Sequence, residues 1–324
     1  SGSWMSCRDL KAVNPIIRLP SSCLPISLYR MSQLKLWVEG ARLRTLPLAL
    51  APVFLGSATA YSLDAFNLPL AVLALLVSLL LQIGVNYAND YSDGIRGTDA
   101  NRVGPLRLTG SGSAKPTAVK NAAFISFGLA ALAGLTIILI TSQWWLVALG
   151  LAAIIAAWFY TGGKNPYGYA GLGELAVFVF FGLVATVGTN FIQTGFIDPL
   201  SVLLGGCFGL YASAVLMVNN IRDIATDKES GKNTIAVRLG AKLSRRLFIW
   251  MLWIPVLINV LLVPIYPATI MGFLNLLLVL PATLIALDGK GAKELITALK
   301  LASFAGLGFG VLVGLGVGLV SFSI

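Results

Sequence analysis

Histidine is absent from the 324 residues, and charged residues make up only 11% of them. The absence of imidazole excludes histidine-ligated metal centres and serine–histidine catalytic triads. The three cysteines, Cys7, Cys23 and Cys207, form no CxxC pair, so neither a disulfide framework nor a zinc site is indicated. Any catalysis must therefore use carboxylates, cationic side chains, tyrosine or a bound metal ion.

Apolar residues, in contrast, make up 57% of the chain. An ordinary soluble domain is roughly 45–50% apolar and about 25% charged, so the composition predicts an integral membrane protein whose spans are α-helical. A membrane helix needs ~20 apolar residues. Nine spans come close to that length: 45–61, 70–88, 119–141, 146–161, 172–191, 200–218, 247–264, 269–287 and 299–320. We expect an all-α protein with about nine transmembrane helices.

The net charge of +10 has an explanation that does not involve nucleic acid. Lysine and arginine concentrate in every second segment between spans, and cytoplasmic loops of membrane proteins carry such an excess. The basic segments are 92–118, 162–171, 219–246 and 288–298, whereas 62–69, 142–145, 192–199 and 264–268 contain no lysine or arginine. This alternation predicts a multi-pass protein of the cell membrane with a cytoplasmic N-terminus and an external C-terminus.

Residues 1–36 differ from the rest of the chain. Residues 6–30 are basic, are interrupted by prolines and contain no clean apolar core, so they are not typical of a signal peptide. We expect 1–36 to be a poorly ordered leader and 37–324 to form one transmembrane domain. In the last span, Gly306, Gly310, Gly314 and Gly318 recur at i, i+4 spacing, which predicts close packing against a neighbouring helix.

Six of the 13 acidic residues fall in two short stretches, "NYANDYSDGIRGTD" (86–99) and "NNIRDIATDKESGK" (219–232). Each stretch begins at the predicted cytoplasmic end of an even-numbered span. The i, i+3 and i, i+4 spacings of the aspartates place each pair on one helix face if the helix continues. Like charges at that spacing repel, and a divalent cation between them would remove the repulsion. Either stretch alone is compatible with helix capping, but the two together favour a site.

The potential ligands in these stretches are all oxygen atoms, which favours Mg²⁺ over zinc or copper. Mg²⁺ commonly binds one or two carboxylates together with substrate phosphates. The predicted catalytic and metal-binding carboxylates are Asp90, Asp93, Asp223 and Asp227, with amide ligands Asn86, Asn89 and Asn219. The predicted diphosphate-binding cations are Arg96, Arg102, Arg107, Lys164, Arg222, Lys228 and Lys232. Candidates for contact with an aromatic substrate are Arg44, Tyr160, Asn165, Tyr167 and Glu174.

Other membrane proteins also use aspartates. A transporter or channel would place charges near the bilayer midplane and show repeat symmetry, whereas these acids cluster at one predicted face. An intramembrane aspartyl protease would need two aspartates inside opposing helices and a "GxGD" string, which the chain lacks. A CDP-alcohol phosphotransferase would need an Ala-Arg pair and longer spacing than "DGIRGTD" offers.

The strings "NDYSD" and "DIATD" resemble the paired aspartate motifs of the UbiA superfamily of intramembrane aromatic prenyltransferases. Three more strings are similar to the naphthoate-prenylating branch of that superfamily: "EGARLRTLPLALAP", "RVGPLRLTGSG" and "YTGGKNPYGYAGLGE". The similarity runs from about residue 37 to the C-terminus, and "GKNTIAVRLG" is its most specific part. One departure is that Gly97 occupies a spot where many members have an aspartate, and Asp99 lies two residues further on.

The resemblance implies nine helices around a central cavity that is open laterally to lipid and capped by the two aspartate-rich segments. It also implies Mg²⁺-dependent transfer of a polyprenyl group from polyprenyl diphosphate to 1,4-dihydroxy-2-naphthoate, with loss of CO₂ and diphosphate, giving demethylmenaquinol. The aspartates would hold Mg²⁺, and the cations would bind the diphosphate. Transfer to 4-hydroxybenzoate, homogentisate, haem or a chlorophyll precursor (phytyl transfer) are alternatives within the same superfamily.

Overall fold

The computed structural model of the protein describes residues 33–97, 107–288 and 291–320. Regular structure in these residues is entirely helical. The helices are α1 (Gln33–Gly40), α2 (Pro47–Ser62), α3 (Leu68–Arg96), α4 (Pro116–Thr141), α5 (Leu146–Phe159), α6 (Gly173–Thr194), α7 (Pro199–Arg222), α8 (Ile224–Glu229), α9 (Ile235–Leu262), α10 (Pro267–Asp288) and α11 (Ala292–Gly318). The all-α expectation is confirmed for the described residues, and most of the predicted leader 1–36 lies outside them.

Seven helices in the described ranges are long and apolar enough to cross a membrane: α3, α4, α6, α7, α9, α10 and α11. The protein is therefore a multi-pass membrane protein. Each of the nine predicted spans coincides with a helix, but α2 and α5 have only 16 and 14 residues. Both are shorter than the ~20 residues of a typical span. The count of nine crossings thus stays a prediction, with seven supported by length and composition.

Helix α7 forms the centre of the bundle. In its apolar window 72% of the residues are buried, the largest share among the seven long helices, and it packs against α6, α9 and α11. Small residues allow this close approach, because a Cβ atom on Gly182 of α6 would lie 2.5 Å from Cα of Gly209 in α7. The buried side chains Phe208, Tyr211 and Met217 of α7 fill the core. This packing fixes the end of α7, where the second aspartate-rich stretch begins.

The glycines of α11 lie at helix contacts, as predicted from their spacing. A Cβ atom on Gly310 would lie 2.7 Å from the Cβ of Ala51 in α2, and Gly314 and Gly318 face the same helix. Gly306 instead faces Tyr211 of α7, 3.3 Å from its Cβ. The stripe therefore serves the packing of α11 between α2 and α7.

The two aspartate-rich stretches have different backbones. Helix α3 continues through the first stretch to Arg96, so Asp90 and Asp93 both lie within its last turns. Helix α7 ends at Arg222, Asp223 follows as its C-cap, and α8 then carries Asp227. A single helix thus bears the first aspartate pair, as the spacing predicts, whereas the second pair straddles the start of a new helix.

Candidate active site

A cavity of about 620 Å³ lies between the helices and is apolar along most of its length. One wall contains a π-helical segment of α6, Phe178–Val184, which contributes Phe180 and Phe181 to the lining. Such segments occur frequently at functional sites. The polar end of the cavity is formed by Arg42, Asn86, Asn89, Asp93, Arg107, Tyr160, Thr161, Tyr167, Tyr169, Asn219, Asn220, Arg222, Asp223, Thr226, Asp227 and Lys232. Both aspartate-rich stretches therefore meet at one end of a single cavity.

Asp93 is the carboxylate of α3 that faces the cavity. Its Oδ1 atom accepts a hydrogen bond from the Tyr169 hydroxyl at 2.7 Å and lies 3.4 Å from Nζ of Lys232. Lys232 also lies over the Tyr169 ring, 4.6 Å from its centroid, where a cation is favourably placed. Residues from α3, from the segment before α6 and from the segment after α8 thus converge on one carboxylate.

Asp223 pairs with the neighbouring Arg222 at the end of α7. Both guanidinium contacts with the carboxylate measure 2.6 Å, and Arg222 also donates to Oδ1 of Asn219 at 2.8 Å. Asp227 is buried in α8, and its backbone carbonyl accepts the N–H of Lys232 at 2.8 Å. That bond holds Lys232 where it reaches Asp93 of the other stretch.

Asp90 faces away from the cavity lining, although it lies only one helical turn from Asp93. It is completely buried, and its two oxygens accept the backbone N–H groups of Leu108 and Thr109, each at 2.8 Å. A Cβ atom on Gly94 would lie 2.5 Å from Thr109, so glycine there lets the returning chain approach α3. Asp90 thus anchors the segment that carries Arg107 to the cavity.

The predicted amide ligands have different surroundings. Asn89 lines the cavity and accepts a hydrogen bond from the Thr161 hydroxyl at 2.7 Å. Asn86 donates to the carbonyl of Ala41 at 2.9 Å and to the hydroxyl of Thr45 at 3.0 Å, so it ties α3 to the turn before α2. Asn219 faces the cavity with its oxygen occupied by Arg222.

The predicted cations separate into three groups. Arg107, Arg222 and Lys232 line the cavity. Arg96 lies beside it and donates to the backbone carbonyls of Thr161 and Gly163, while its guanidinium lies 5.3 Å from the centroid of the Tyr169 ring. Lys164 and Lys228 are exposed and do not belong to the lining. Arg102 lies outside the described residues, as does Asp99.

Only some of the residues predicted to contact an aromatic substrate line the cavity. Tyr160 and Tyr167 line the cavity with their ring centroids 5.6 Å apart. The Tyr167 hydroxyl donates to the carbonyl of Ala156 at 2.8 Å, and burial raises the pKa of Tyr167 to about 12. Glu174 is buried behind the wall and accepts a hydrogen bond from Asn220. Asn165 is exposed and outside the lining, and nothing is described of the Arg44 side chain.

Five residues of the polar end are absent from the sequence-based candidates: Arg42, Thr161, Tyr169, Asn220 and Thr226. Four of them neighbour residues that were selected. Arg42 lies two positions before Arg44, and Asn220 directly follows Asn219. Thr161 directly follows Tyr160, and Thr226 directly precedes Asp227. Tyr169 lies in the same aromatic string as Tyr167. The strings were therefore identifiable from sequence, but the side chains within them that reach the cavity were not.

The donor set fits Mg²⁺ only together with a phosphate ligand. Within the described ranges no three carboxylate or thiolate groups converge closely enough to hold a metal ion by themselves. Asp93 and Asp223 each have a cationic neighbour, Lys232 and Arg222. Carboxylate and amide oxygens alternate with cations on the same cavity surface, which is the arrangement expected where Mg²⁺ takes a few protein ligands and several phosphate oxygens.

Comparison with known proteins identifies the family of this chain. The profile of the UbiA prenyltransferase family matches residues 49–303. The chain belongs to this family. It is therefore a membrane-embedded prenyltransferase, which confirms the family predicted from the aspartate motifs.

Two curated relatives illustrate the similarity within the family. A protein of Mycobacterium tuberculosis is 47% identical over 270 residues, which cover 83% of this chain and 92% of the relative. A protein of Escherichia coli is 41% identical over 223 residues, which cover 67% of this chain and 72% of the relative. Both are named 1,4-dihydroxy-2-naphthoate octaprenyltransferase.

Solved structures with the same fold are more distant in sequence. A UbiA homolog from Archaeoglobus fulgidus bound to GPP and Mg²⁺ has a TM-score of 0.62 at 16% identity, covering 86% of this chain and 98% of that one. The apo structure of a UbiA homolog from Aeropyrum pernix has a TM-score of 0.63 at 17% identity, covering 85% and 98%. At this identity the likeness shows the fold, and the roles of individual residues must come from this chain.

Proposed function

We propose that this prenyltransferase transfers a polyprenyl group from its diphosphate to 1,4-dihydroxy-2-naphthoate, with release of CO₂ and diphosphate, giving demethylmenaquinol. The observation that carries the proposal is the contact of Lys232 with Asp93, which brings the two aspartate-rich stretches together at the polar end of an apolar cavity. The names of the bacterial relatives support the choice of acceptor.

The polar end would hold the diphosphate. Asp93, Asp223 and Asp227, with the amides of Asn89 and Asn219, would hold Mg²⁺ together with phosphate oxygens, because all five line the cavity. When bound, Mg²⁺ supplies charge neutralisation for the leaving diphosphate. A UbiA homolog of the same fold was solved with GPP and Mg²⁺, which supports this assignment. Asp90 has a different task, since it does not line the cavity and both its oxygens accept backbone N–H groups.

Cationic side chains would bind the diphosphate and neutralise part of its negative charge. Arg107, Arg222 and Lys232 face the cavity, and two of them have carboxylate partners that reduce their mutual repulsion. Guanidinium groups bind phosphate oxygens in a fixed fork, whereas an ammonium acts as a point charge. These groups stabilise the negative charge that builds on the bridging oxygen as its bond to the prenyl carbon breaks.

The apolar part of the cavity would take the prenyl chain. Helix α5 packs against α3 and α4 and makes little contact with α6. The cavity is lined on these two sides by Leu149 and Ala153 of α5 and by Val184 and Gly188 of α6. A long prenyl chain could leave the cavity between α5 and α6 and continue into lipid.

The reaction then follows from the placement of charge and apolar surface. The prenyl C–O bond breaks, diphosphate leaves with the bonding electrons, and the allylic carbon becomes cationic. Phe180 and Phe181 help to keep water from that carbon. A ring carbon of the naphthoate forms the new C–C bond, and the carboxylate on that carbon leaves as CO₂. No proton has to be removed from that carbon, so the step needs no strong base, consistent with a chain that lacks histidine.

The polar end of the cavity would face the cytoplasm. The basic segments follow the ends of α3 and α7 that carry the aspartates, and positive charge marks the cytoplasmic side. Cysteines placed singly at Lys164 and at Ser142 would test this orientation. In intact cells a membrane-impermeant maleimide should label the cysteine at 142 and not that at 164, and the reverse pattern would contradict it.

The direct test is an assay of purified protein with 1,4-dihydroxy-2-naphthoate, a polyprenyl diphosphate and Mg²⁺. We expect prenylated naphthoquinol, CO₂ and diphosphate in equal amounts, and no product with EDTA. Parallel reactions should contain 4-hydroxybenzoate or homogentisate as the acceptor. Release of diphosphate without a prenylated naphthoquinol would refute the acceptor and leave the family assignment intact.

A further inference from the structure

Asn220 contributes a buried amide to the cavity wall, one residue after the predicted ligand Asn219. Only 8% of its surface is exposed, and it lies among the residues that line the cavity. Its Nδ2 atom donates a hydrogen bond to Oε1 of Glu174 at 2.9 Å. The pair joins α7 to the start of α6, deep within the protein, and the proposed diphosphate site makes no use of it.

Glu174 fixes which way the Asn220 amide points. The NH₂ group of Asn220, and not its carbonyl, faces Glu174, because Nδ2 donates to Oε1. Glu174 is itself held, because its backbone carbonyl accepts a hydrogen bond from the Ser213 hydroxyl at 2.9 Å. Its second carboxylate oxygen, Oε2, is buried and has no hydrogen-bond partner among the described residues. A buried glutamate with one oxygen unpaired is costly for stability, which points to a function.

The amide oxygen of Asn220 is left over by this arrangement. Oδ1 accepts no hydrogen bond from the described part of the chain. Tyr160 lines the same cavity close to the start of α6, with its hydroxyl 3.2 Å from a Cβ atom placed on Gly173, the residue before Glu174. An acceptor oxygen, a phenolic hydroxyl and an aromatic ring thus belong to one cavity lining, which suits a planar hydroxyaromatic molecule.

We propose that Oδ1 of Asn220 accepts the hydrogen bond of the 4-hydroxyl group of the aromatic acceptor, and that Glu174 is the positioning residue that keeps this oxygen directed at the cavity. The inference rests on the proposed function. In 1,4-dihydroxy-2-naphthoate the 1-hydroxyl adjoins the carboxylate and donates to it within the molecule, so the 4-hydroxyl is the free donor. Asn220 thereby selects acceptors that carry a hydroxyl at that position.

The test compares two acids that differ only in this hydroxyl, 1,4-dihydroxy-2-naphthoate and 1-hydroxy-2-naphthoate. Equilibrium binding of each is measured on protein in nanodiscs, with saturating inorganic diphosphate and Mg²⁺ so that no turnover occurs. A site built to bind a hydroxyl rejects a molecule that lacks it. In the unsubstituted protein, loss of the 4-hydroxyl should weaken binding roughly tenfold. In Asn220→Leu the two acids should bind equally.

A matched control separates this effect from general damage to the bundle. Asn259 of α9 is also a buried amide, its Oδ1 likewise lacks a partner among the described residues, and it does not line the cavity. Asn259→Leu should retain the roughly tenfold difference between the acids, whatever it does to stability. An equal difference in the unsubstituted protein and in Asn220→Leu would overturn the proposal.

Two substitutions of Glu174 test its positioning role. Glu174→Gln keeps an acceptor oxygen for Nδ2 of Asn220 and should retain most of the difference between the two acids. Glu174→Leu removes that acceptor, frees the amide to turn, and should behave like Asn220→Leu. If Glu174→Gln lost the difference as completely as Glu174→Leu, the positioning role would be refuted. If the unsubstituted protein bound neither acid and formed no prenylated naphthoquinol, the proposed function would fail and this inference with it.

Discussion

Lys232 lies 3.4 Å from the carboxylate of Asp93, and the two residues belong to different aspartate-rich stretches. The Tyr169 hydroxyl donates to the same carboxylate oxygen, so three separate segments meet there. A cation between two acidic stretches lowers their mutual repulsion and is already placed for a phosphate group. This contact is the centre of the proposed diphosphate site, and its removal gives the first prediction.

Lys232→Met should raise the KM for prenyl diphosphate about 10- to 100-fold, because hydrogen bonds to charged groups contribute about 1.5–3 kcal/mol. The KM for the naphthoate should change little, since Lys232 contacts Asp93 and Tyr169, which are not among the residues proposed to bind the naphthoate. Steady-state kinetics with each substrate varied in turn would measure both values. Lys228→Met is the control, since Lys228 is exposed and outside the cavity lining. An equal effect of both variants would argue against a specific phosphate contact.

Asp90→Asn and Asp93→Asn should have different effects. Asp90 accepts two backbone N–H groups, and an asparagine would turn its NH₂ group toward one of them. We expect Asp90→Asn to lose about 1–3 kcal/mol of stability and to lose activity that added Mg²⁺ does not restore. Asp93→Asn should shift the Mg²⁺ concentration for half-maximal rate upward, with a smaller change in thermal midpoint. A shift in Mg²⁺ dependence for Asp90→Asn, without a change in stability, would make Asp90 a metal ligand.

Asp223→Ala should lower kcat at least ~100-fold, a loss of the size that follows removal of one group stabilising transition-state charge. It would also leave Arg222 without the carboxylate it contacts at 2.6 Å. Glu229→Ala in the same stretch is the control, because Glu229 is exposed and does not line the cavity. Turnover by Asp223→Ala at the unsubstituted rate would remove Asp223 from the site.

Gly310→Leu should destabilise the bundle without a direct effect on the site. A Cβ atom there would lie 2.7 Å from the Cβ of Ala51, so α2 and α11 would have to separate. Overpacking of this kind costs typically 1–3 kcal/mol. Gly128→Leu in α4 is the control, because a Cβ atom at Gly128 meets nothing within 4 Å. Thermal unfolding in detergent should show a lower midpoint for Gly310→Leu only, and equal midpoints would contradict this packing.

Much of the architecture followed from the sequence because the membrane imposes simple rules on it. Three features needed no tertiary information: the apolar spans of near-bilayer length, the alternation of segments with and without lysine and arginine, and the two clustered aspartate stretches. The glycine stripe of α11 was equally readable, because small residues at i, i+4 allow helices to approach closely. The predicted spans 45–61 and 146–161 were also the two shortest of the nine, and the helices that match them, α2 and α5, have 16 and 14 residues.

The tertiary structure decided which side chain serves which purpose. Asp90 and Asp93 lie one turn apart on α3. Asp90 is bound by the backbone N–H groups of Leu108 and Thr109, so of the two aspartates only Asp93 faces the cavity. Asn220 reaches Glu174 across 46 positions of sequence, and Lys232 reaches Asp93 across 139. Helical periodicity describes one helix at a time, whereas these contacts depend on how separate helices pack, which no local pattern specifies.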